Sequence, residues 1–141
     1  MLSSFMCLAL AIFYEAGNQP EIGKIAVANV VMNRVKSGRY PSDICAVISE
    51  KNQFSYFKEK KHSLPKITNK FDRAAWDDSR RIAAQFVFLK MAEKMDVTMG
   101  SLHYHADYVS PCWTSKNYIK IGSHKFFPKV VEDGRCKKRS A

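Results

Sequence analysis

Apolar residues dominate the first third of the chain, and polar positions interrupt them at only a few places. From Phe5 to Tyr14 the run is unbroken, which predicts a core helix over about Ser4 to Ala16 with Gly17 as its C-terminal stop. On its wheel Ser4, Leu8, Ala11 and Ile12 share the side of Glu15. A second helix is expected to start with Asn18 as cap, Pro20 in the first turn and Glu21 three residues after the cap, a variant of the capping box. It continues as "IAVANVVM", apolar nearly all round, so it belongs at the centre of the fold.

The pattern then loosens. A short helix is expected over about Asp43 to Ser49, followed by the aromatic stretch "NQFSYF". The next segment, "KEKKHSLPKITNK", is basic, contains Pro65 and has no period, so it reads as an exposed, flexible loop. Phe71 to Lys94 is amphipathic and predicts one long helix, with Trp76, Ala83, Phe86, Val87 and Met91 available for its inner side. Beyond it "SLHYHADY" alternates like a strand, and "NYIKIGSHKFF" reads as two short strands joined at Gly122 and Ser123. The fold class is therefore α+β, a helical body followed by a small antiparallel sheet towards the C-terminus.

Composition narrows this picture. A chain of 141 residues, 46% hydrophobic and 26% charged, can bury one ordinary core, so a single domain over residues 1–133 and a disordered basic tail over 134–141 are expected. The apolar run at Phe5–Tyr14 is about half of what a membrane span needs, and no Lys or Arg precedes Lys24 to form the basic region of a secretion signal. A protein made in the cytoplasm without a signal peptide or transmembrane segment is the expectation, and a monomer. Lys and Arg outnumber Asp and Glu by 23 to 13, so the formal charge of +10 favours polyanionic partners. Cys7, Cys45, Cys112 and Cys136 form no C-x-x-C pair, which leaves zinc-ribbon and thioredoxin-like readings without support and allows free thiols or a disulfide.

Two positions break local rules. Glu15 ends an apolar helix, where the negative end of the dipole and withdrawal from water both disfavour its anion. Asn29 and Asn33 lie four apart on the buried second helix and must bond something, since an unpaired buried amide costs about 1 to 3 kcal/mol. Their partner is either a loop carbonyl or a groove that positions Glu15. A carboxyl held protonated near neutral pH is what glycoside cleavage needs, to protonate the departing oxygen. Such enzymes usually add a second carboxylate, but a muramic-acid unit has a C6 hydroxyl that can attack its own anomeric carbon, so one glutamate can serve.

The blocks "LALAIFYEAGNQPEIGKIAVANVVMNRV", "QFSYF", "SLHYHADYVSPCW" and "IGSHKFF", in this order and spacing, resemble the SleB-type cell-wall hydrolases, a family of spore-cortex-lytic enzymes and related phage and bacterial lysins. The resemblance implies a lysozyme-like, lytic-transglycosylase-like fold, a peptidoglycan substrate, no cofactor, and Glu15 as the catalytic acid. It places Gln53 and Ser55 at the substrate groove, where an amide and a hydroxyl can bond N-acetyl groups and sugar hydroxyls. It also favours Tyr104 and Trp113 as aromatic platforms, and His124 matches the histidine of the last block. Asn33 and His105 complete the expected groove. Without a signal or a wall-binding repeat, the chain resembles a lysin that a phage makes in the host cytoplasm and releases to the wall, where the positive charge meets anionic wall or outer-membrane polymers.

Other readings stay open at this point. His103 and His105 share a strand face and, with His124 or Cys112, offer part of a metal site, but a fourth ligand is missing and no metal is assigned. The glycan bond can instead be hydrolysed by a muramidase or glucosaminidase. A peptidoglycan amidase would need zinc or a Cys–His pair, with Cys112 and His103 or His105 as the local candidate. A basic nucleic-acid-binding module has only the net charge behind it, with no continuous basic stripe and no finger spacing, so no specific nucleic acid is expected.

Overall fold

A computed structural model of the chain describes residues 2–50 and 64–129. The element order is α1 (Ser4–Ala16), α2 (Glu21–Ser37), α3 (Ile44–Ile48), α4 (Lys70–Phe88), α5 (Met91–Lys94), β1 (His103–Ala106), β2 (Ile119–Ile121) and β3 (His124–Phe127). This is the expected mostly helical body with a small C-terminal sheet. Ser3 caps α1 by accepting the Met6 N–H at 3.1 Å, and Asp43 and Asn69 cap α3 and α4 in the same way.

The helical core surrounds α1. Cys7 to Ile12 are fully buried against α4, α2 and α3, and each of Leu8, Leu10 and Ile12 contributes about 1.5 to 3 kcal/mol by leaving water. A disulfide between Cys7 and Cys45 ties the first half of α1 to α3. Helix α2 is central because both its sides are covered. Ala28 and Val31 join the helical core, while Ala26, Val27 and Val30 pack on Phe126 of the sheet. Its all-round apolar sequence is the signature of that position.

The sheet is antiparallel with order β1-β3-β2. Tyr104 pairs with Phe126 and Ala106 with His124, while Ile119 and Ile121 pair with the same two β3 residues. By the pleat, Tyr104, His124, Phe126, Ile119 and Ile121 form the face that lies on α2, and His103, His105, Lys125 and Phe127 form the outer face. The hairpin turns at Gly122, whose φ of 59° suits glycine.

Two local expectations fail for physical reasons. Asn18 does not cap α2: Pro20 occupies the cap with no side-chain bond, and Glu21 turns out to pair with Arg81 of α4. Gly17 does end α1 as expected, in right-handed geometry; what keeps it small is the Phe13 carbonyl oxygen, into which a Cβ at this position would run. The single helix expected over Phe71–Lys94 breaks after Phe88, because Lys90 takes a left-handed conformation (φ 52°) that redirects the chain. The "QFSYF" block and the C-terminal tail lie outside the described residues.

Candidate functional site

Glu15 sits in the last turn of α1, where the helical body meets the sheet. It is half-buried, and burial raises its pKa above the ordinary value of 4.5. Two groups act in the opposite direction. The Tyr104 hydroxyl donates to Glu15 Oε1 at 2.7 Å, and the positive charge of Arg34 favours the anion. Burial prevails, so the carboxyl holds its proton more tightly than an exposed glutamate. Once that proton leaves, a donor and a cation are already in place for the anion that remains.

The sheet fixes the first of these groups. Tyr104 stacks on Phe126 with ring centres 5.4 Å apart and meets His124 edge-on at 5.3 Å, which fixes the direction of its hydroxyl. His124 is the first residue of β3 and is buried. Its Nδ1 has no hydrogen-bond partner among the described residues. Burial pushes its pKa below 6.5, while Asp107 pulls upward and His105 downward, so the imidazole is neutral at pH 7.

Arg34, which sequence reasoning missed, comes from the last turns of α2. It is buried, its Nε donates to the Leu102 carbonyl at 2.7 Å, and its guanidinium lies 5.1 Å from the Tyr40 ring centre. The available signal was an arginine closing the largely apolar run "IAVANVVMNR", a position that is costly unless the charge is used.

Gln19, also missed, clamps the hairpin to the helical body. Its Oε1 accepts the Ser123 N–H at 2.8 Å, and its Nε2 donates to Asn18 Oδ1. Gly122 is small for a second reason here, since a Cβ at that position would run into Gln19 Oε1. The loop that follows Glu15 therefore holds the turn that precedes His124, and His124 holds Tyr104.

The other expected groove residues are not gathered at Glu15. Asn29 donates to the Met95 carbonyl at 2.9 Å and accepts from the Val97 N–H. Asn33 donates to Asp96 Oδ2 at 2.9 Å and to the Ser101 carbonyl at 3.1 Å. Both amides thus take the loop option: they anchor residues 95–101, and the amide nitrogen of Asn33 is committed there rather than to a ligand. His105 and Trp113 lie on the outer face of the sheet, opposite Tyr104. Trp113 packs 5.3 to 5.5 Å from the rings of His103, His105 and Phe127, away from Tyr104, because adjacent residues of a strand point to opposite faces. Gln53 and Ser55 lie outside the described residues.

Among the described residues no group of three His, Cys, Asp or Glu is placed to hold a metal ion. Cys112 is disulfide-bonded and so offers no thiolate to His103 or His105. No described helix is long and apolar enough to cross a membrane.

A family model described as Cell Wall Hydrolase matches residues 18–127, starting three positions after Glu15. The spore cortex-lytic enzyme of Bacillus cereus is 38% identical over 123 residues, which cover 84% of this chain and 42% of that protein. The spore cortex-lytic enzyme of Halalkalibacterium halodurans is 38% identical over a shorter stretch of 48 residues, 34% of this chain and 14% of that protein. The chain thus spans less than half the length of the curated relatives it matches. Among solved structures, the catalytic domain of the Bacillus cereus SleB protein aligns with a TM-score of 0.60 and 27% identity, covering 87% of this chain and 88% of that one. The catalytic domain of the germination-specific lytic transglycosylase SleB from Bacillus anthracis aligns equally well, with 92% of its chain covered. The fold is accordingly the lysozyme-like one of these catalytic domains.

Proposed function

This chain belongs to the cell wall hydrolase family, and from that premise we propose that it degrades peptidoglycan by cleaving the glycan strand as a lytic transglycosylase, with Glu15 as its single acid and base. The observation that carries this reading is the environment of Glu15: a carboxyl whose pKa is raised by burial, held by the Tyr104 hydroxyl, at the junction of helical body and sheet. The similarity to a germination-specific lytic transglycosylase supports it.

In the first step the Glu15 proton passes to the glycosidic oxygen between N-acetylmuramic acid and N-acetylglucosamine. The bond from the muramic C1 breaks, its electron pair stays on the leaving oxygen, and C1 takes on oxocarbenium character. The Glu15 carboxylate so formed is stabilised by the Tyr104 O–H and the charge of Arg34. The muramic C6 oxygen then attacks C1, and its proton returns to Glu15. No water is consumed, and the product ends in a 1,6-anhydro ring. A hydrolase would need a second carboxylate about 5 to 9 Å across the bond. Glu21, which pairs with Arg81, and Asp107, which pairs with Lys120 at 3.5 Å, are both otherwise engaged.

The Cys7–Cys45 disulfide is consistent with action in the oxidising space outside the cytoplasmic membrane, where the wall lies. The net charge of +10 favours retention on anionic wall polymers by a monomeric enzyme. Binding to intact walls then weakens as salt shortens the screening length from about 8 Å at physiological ionic strength, while turnover of short neutral glycan fragments changes much less.

Replacing Glu15 by Gln tests the reading. The amide is nearly isosteric but has no acidic proton, so wall lysis falls by at least about a hundredfold, the lower end of what general acid catalysis contributes, while the far- and near-ultraviolet circular dichroism are retained. A variant with more than about a hundredth of wild-type activity rules out Glu15 as the acid.

A further inference from the structure

Beside Glu15, on the flank of α1 that faces α4, lies an open cavity of about 730 Å³. It is within the size range of sites that take small ligands, and Glu15 is not part of its lining. Tyr14 and Phe71 supply aromatic surface, Asn18 and Gln19 amides, and Asp72 and Asp78 carboxylates. The close crossing of Gly17 and Ala75 gives it a floor without bulky side chains.

The chemistry of this lining selects the ligand. Among the described lining residues two carboxylates and no available cation disfavour an anion: the ammonium of Lys24 is buried and donates to the Gln19 carbonyl, and Asp78 already pairs with Arg81 at 3.5 Å. Phe71 stands at the first turn of α4 and is 88% exposed, so its ring adds nothing to the core and presents a flat apolar surface at the cavity mouth. An apolar platform beside amides and carboxylates matches a neutral ring with one apolar face and a rim of hydroxyl and acetamido groups.

We propose that this cavity is a second saccharide-binding site, which takes one N-acetylhexosamine unit of a wall glycan with its apolar face on Phe71 and its polar rim against Asn18, Gln19 and Asp78. The proposal rests on the glycan-cleaving reading above for the identity of the polymer. Tyr14 adjoins Glu15 in the chain, so a unit held here keeps the enzyme on the glycan close to the bond it cuts.

The test uses the Glu15→Gln protein, which binds without cutting, titrated with the tetramer of N-acetylglucosamine and followed by two-dimensional amide NMR. Saturable shifts are expected at Asn18, Gln19 and residues 71–75. Phe71→Ala should weaken them about 2- to 10-fold, in line with the loss of one aromatic contact, and Phe71→Trp should restore them. In the otherwise wild-type enzyme, Phe71→Ala should raise KM on polymeric peptidoglycan by a similar factor while kcat holds. Shifts confined to the surroundings of Tyr104, or binding indifferent to Phe71, overturn the second site. So does a wall stem peptide that moves these resonances where the saccharide does not. If the wild-type protein releases no glycan fragments, the reading of the reaction fails instead, and saturable saccharide shifts at Asn18 and Phe71 still sustain the site.

Discussion

Tyr104→Phe isolates the contact that ties the sheet to the Glu15 carboxyl. The ring that stacks on Phe126 is kept, so the sheet should fold as before, and only the hydroxyl that donates to Glu15 Oε1 at 2.7 Å is lost. A hydrogen bond to a charged group contributes about 1.5 to 3 kcal/mol, and the half-buried position of Glu15 puts the effect at the lower end. Because the bond favours the anion, its removal leaves the acid form more stable. At about 1.4 kcal/mol per pH unit, the alkaline limb of the pH–rate profile should move up by about one unit. The same loss removes support from the carboxylate formed as the bond breaks, so kcat at the optimum should fall about tenfold. Initial rates on soluble glycan fragments between pH 4 and 9 give both quantities in one series. A limb that stays in place, or moves down, refutes the claim that the Tyr104 hydroxyl acts on the acid.

Glu15→Gln should melt above the wild type at pH 8, with the difference closing by pH 4: a folded-state pKa raised above 4.5 leaves the carboxyl without cost below that value and makes its ionisation costly as pH rises. Replacing both Cys7 and Cys45 by Ala opens a loop of 38 residues, which chain entropy values at about 4 kcal/mol; urea unfolding should show a loss of roughly 2 to 4 kcal/mol, and an unchanged midpoint contradicts it. Gln19→Ala should lower kcat several-fold with only a small change in melting temperature, because it frees the hairpin that positions His124 and Tyr104, whereas Gln19→Glu, which keeps the acceptor for the Ser123 N–H, should recover most of the rate.

What the sequence made legible follows from the range of the forces involved. The unbroken run of Phe5–Tyr14 and the all-round apolar α2 are local patterns with one packing solution, and both helices stand where periodicity puts them. Glu15 was legible for the same reason, as one acid at the end of an apolar helix. The break at Lys90 left no trace, since neither Gly nor Pro marks it. Alternation along "SLHYHADY" revealed a strand and told which residues share a face, but not which face meets α2. That depends on the pairing of Tyr104 with Phe126, 22 positions away, and it separates Tyr104 from His105 and Trp113. The roles of Arg34 and Gln19 rest on contacts with Leu102 and Ser123 that no local pattern encodes.

The central claim is that one glutamate suffices because the substrate supplies the attacking hydroxyl. Mass spectrometry of fragments released from purified peptidoglycan, with and without borohydride treatment, tests it most directly. Fragments ending in 1,6-anhydro-muramic acid are one water lighter than the hydrolysed form and unchanged by borohydride, and they are the predicted result. Fragments that gain two hydrogens on reduction would show that water is the nucleophile, and a second carboxylate would then have to act opposite Glu15.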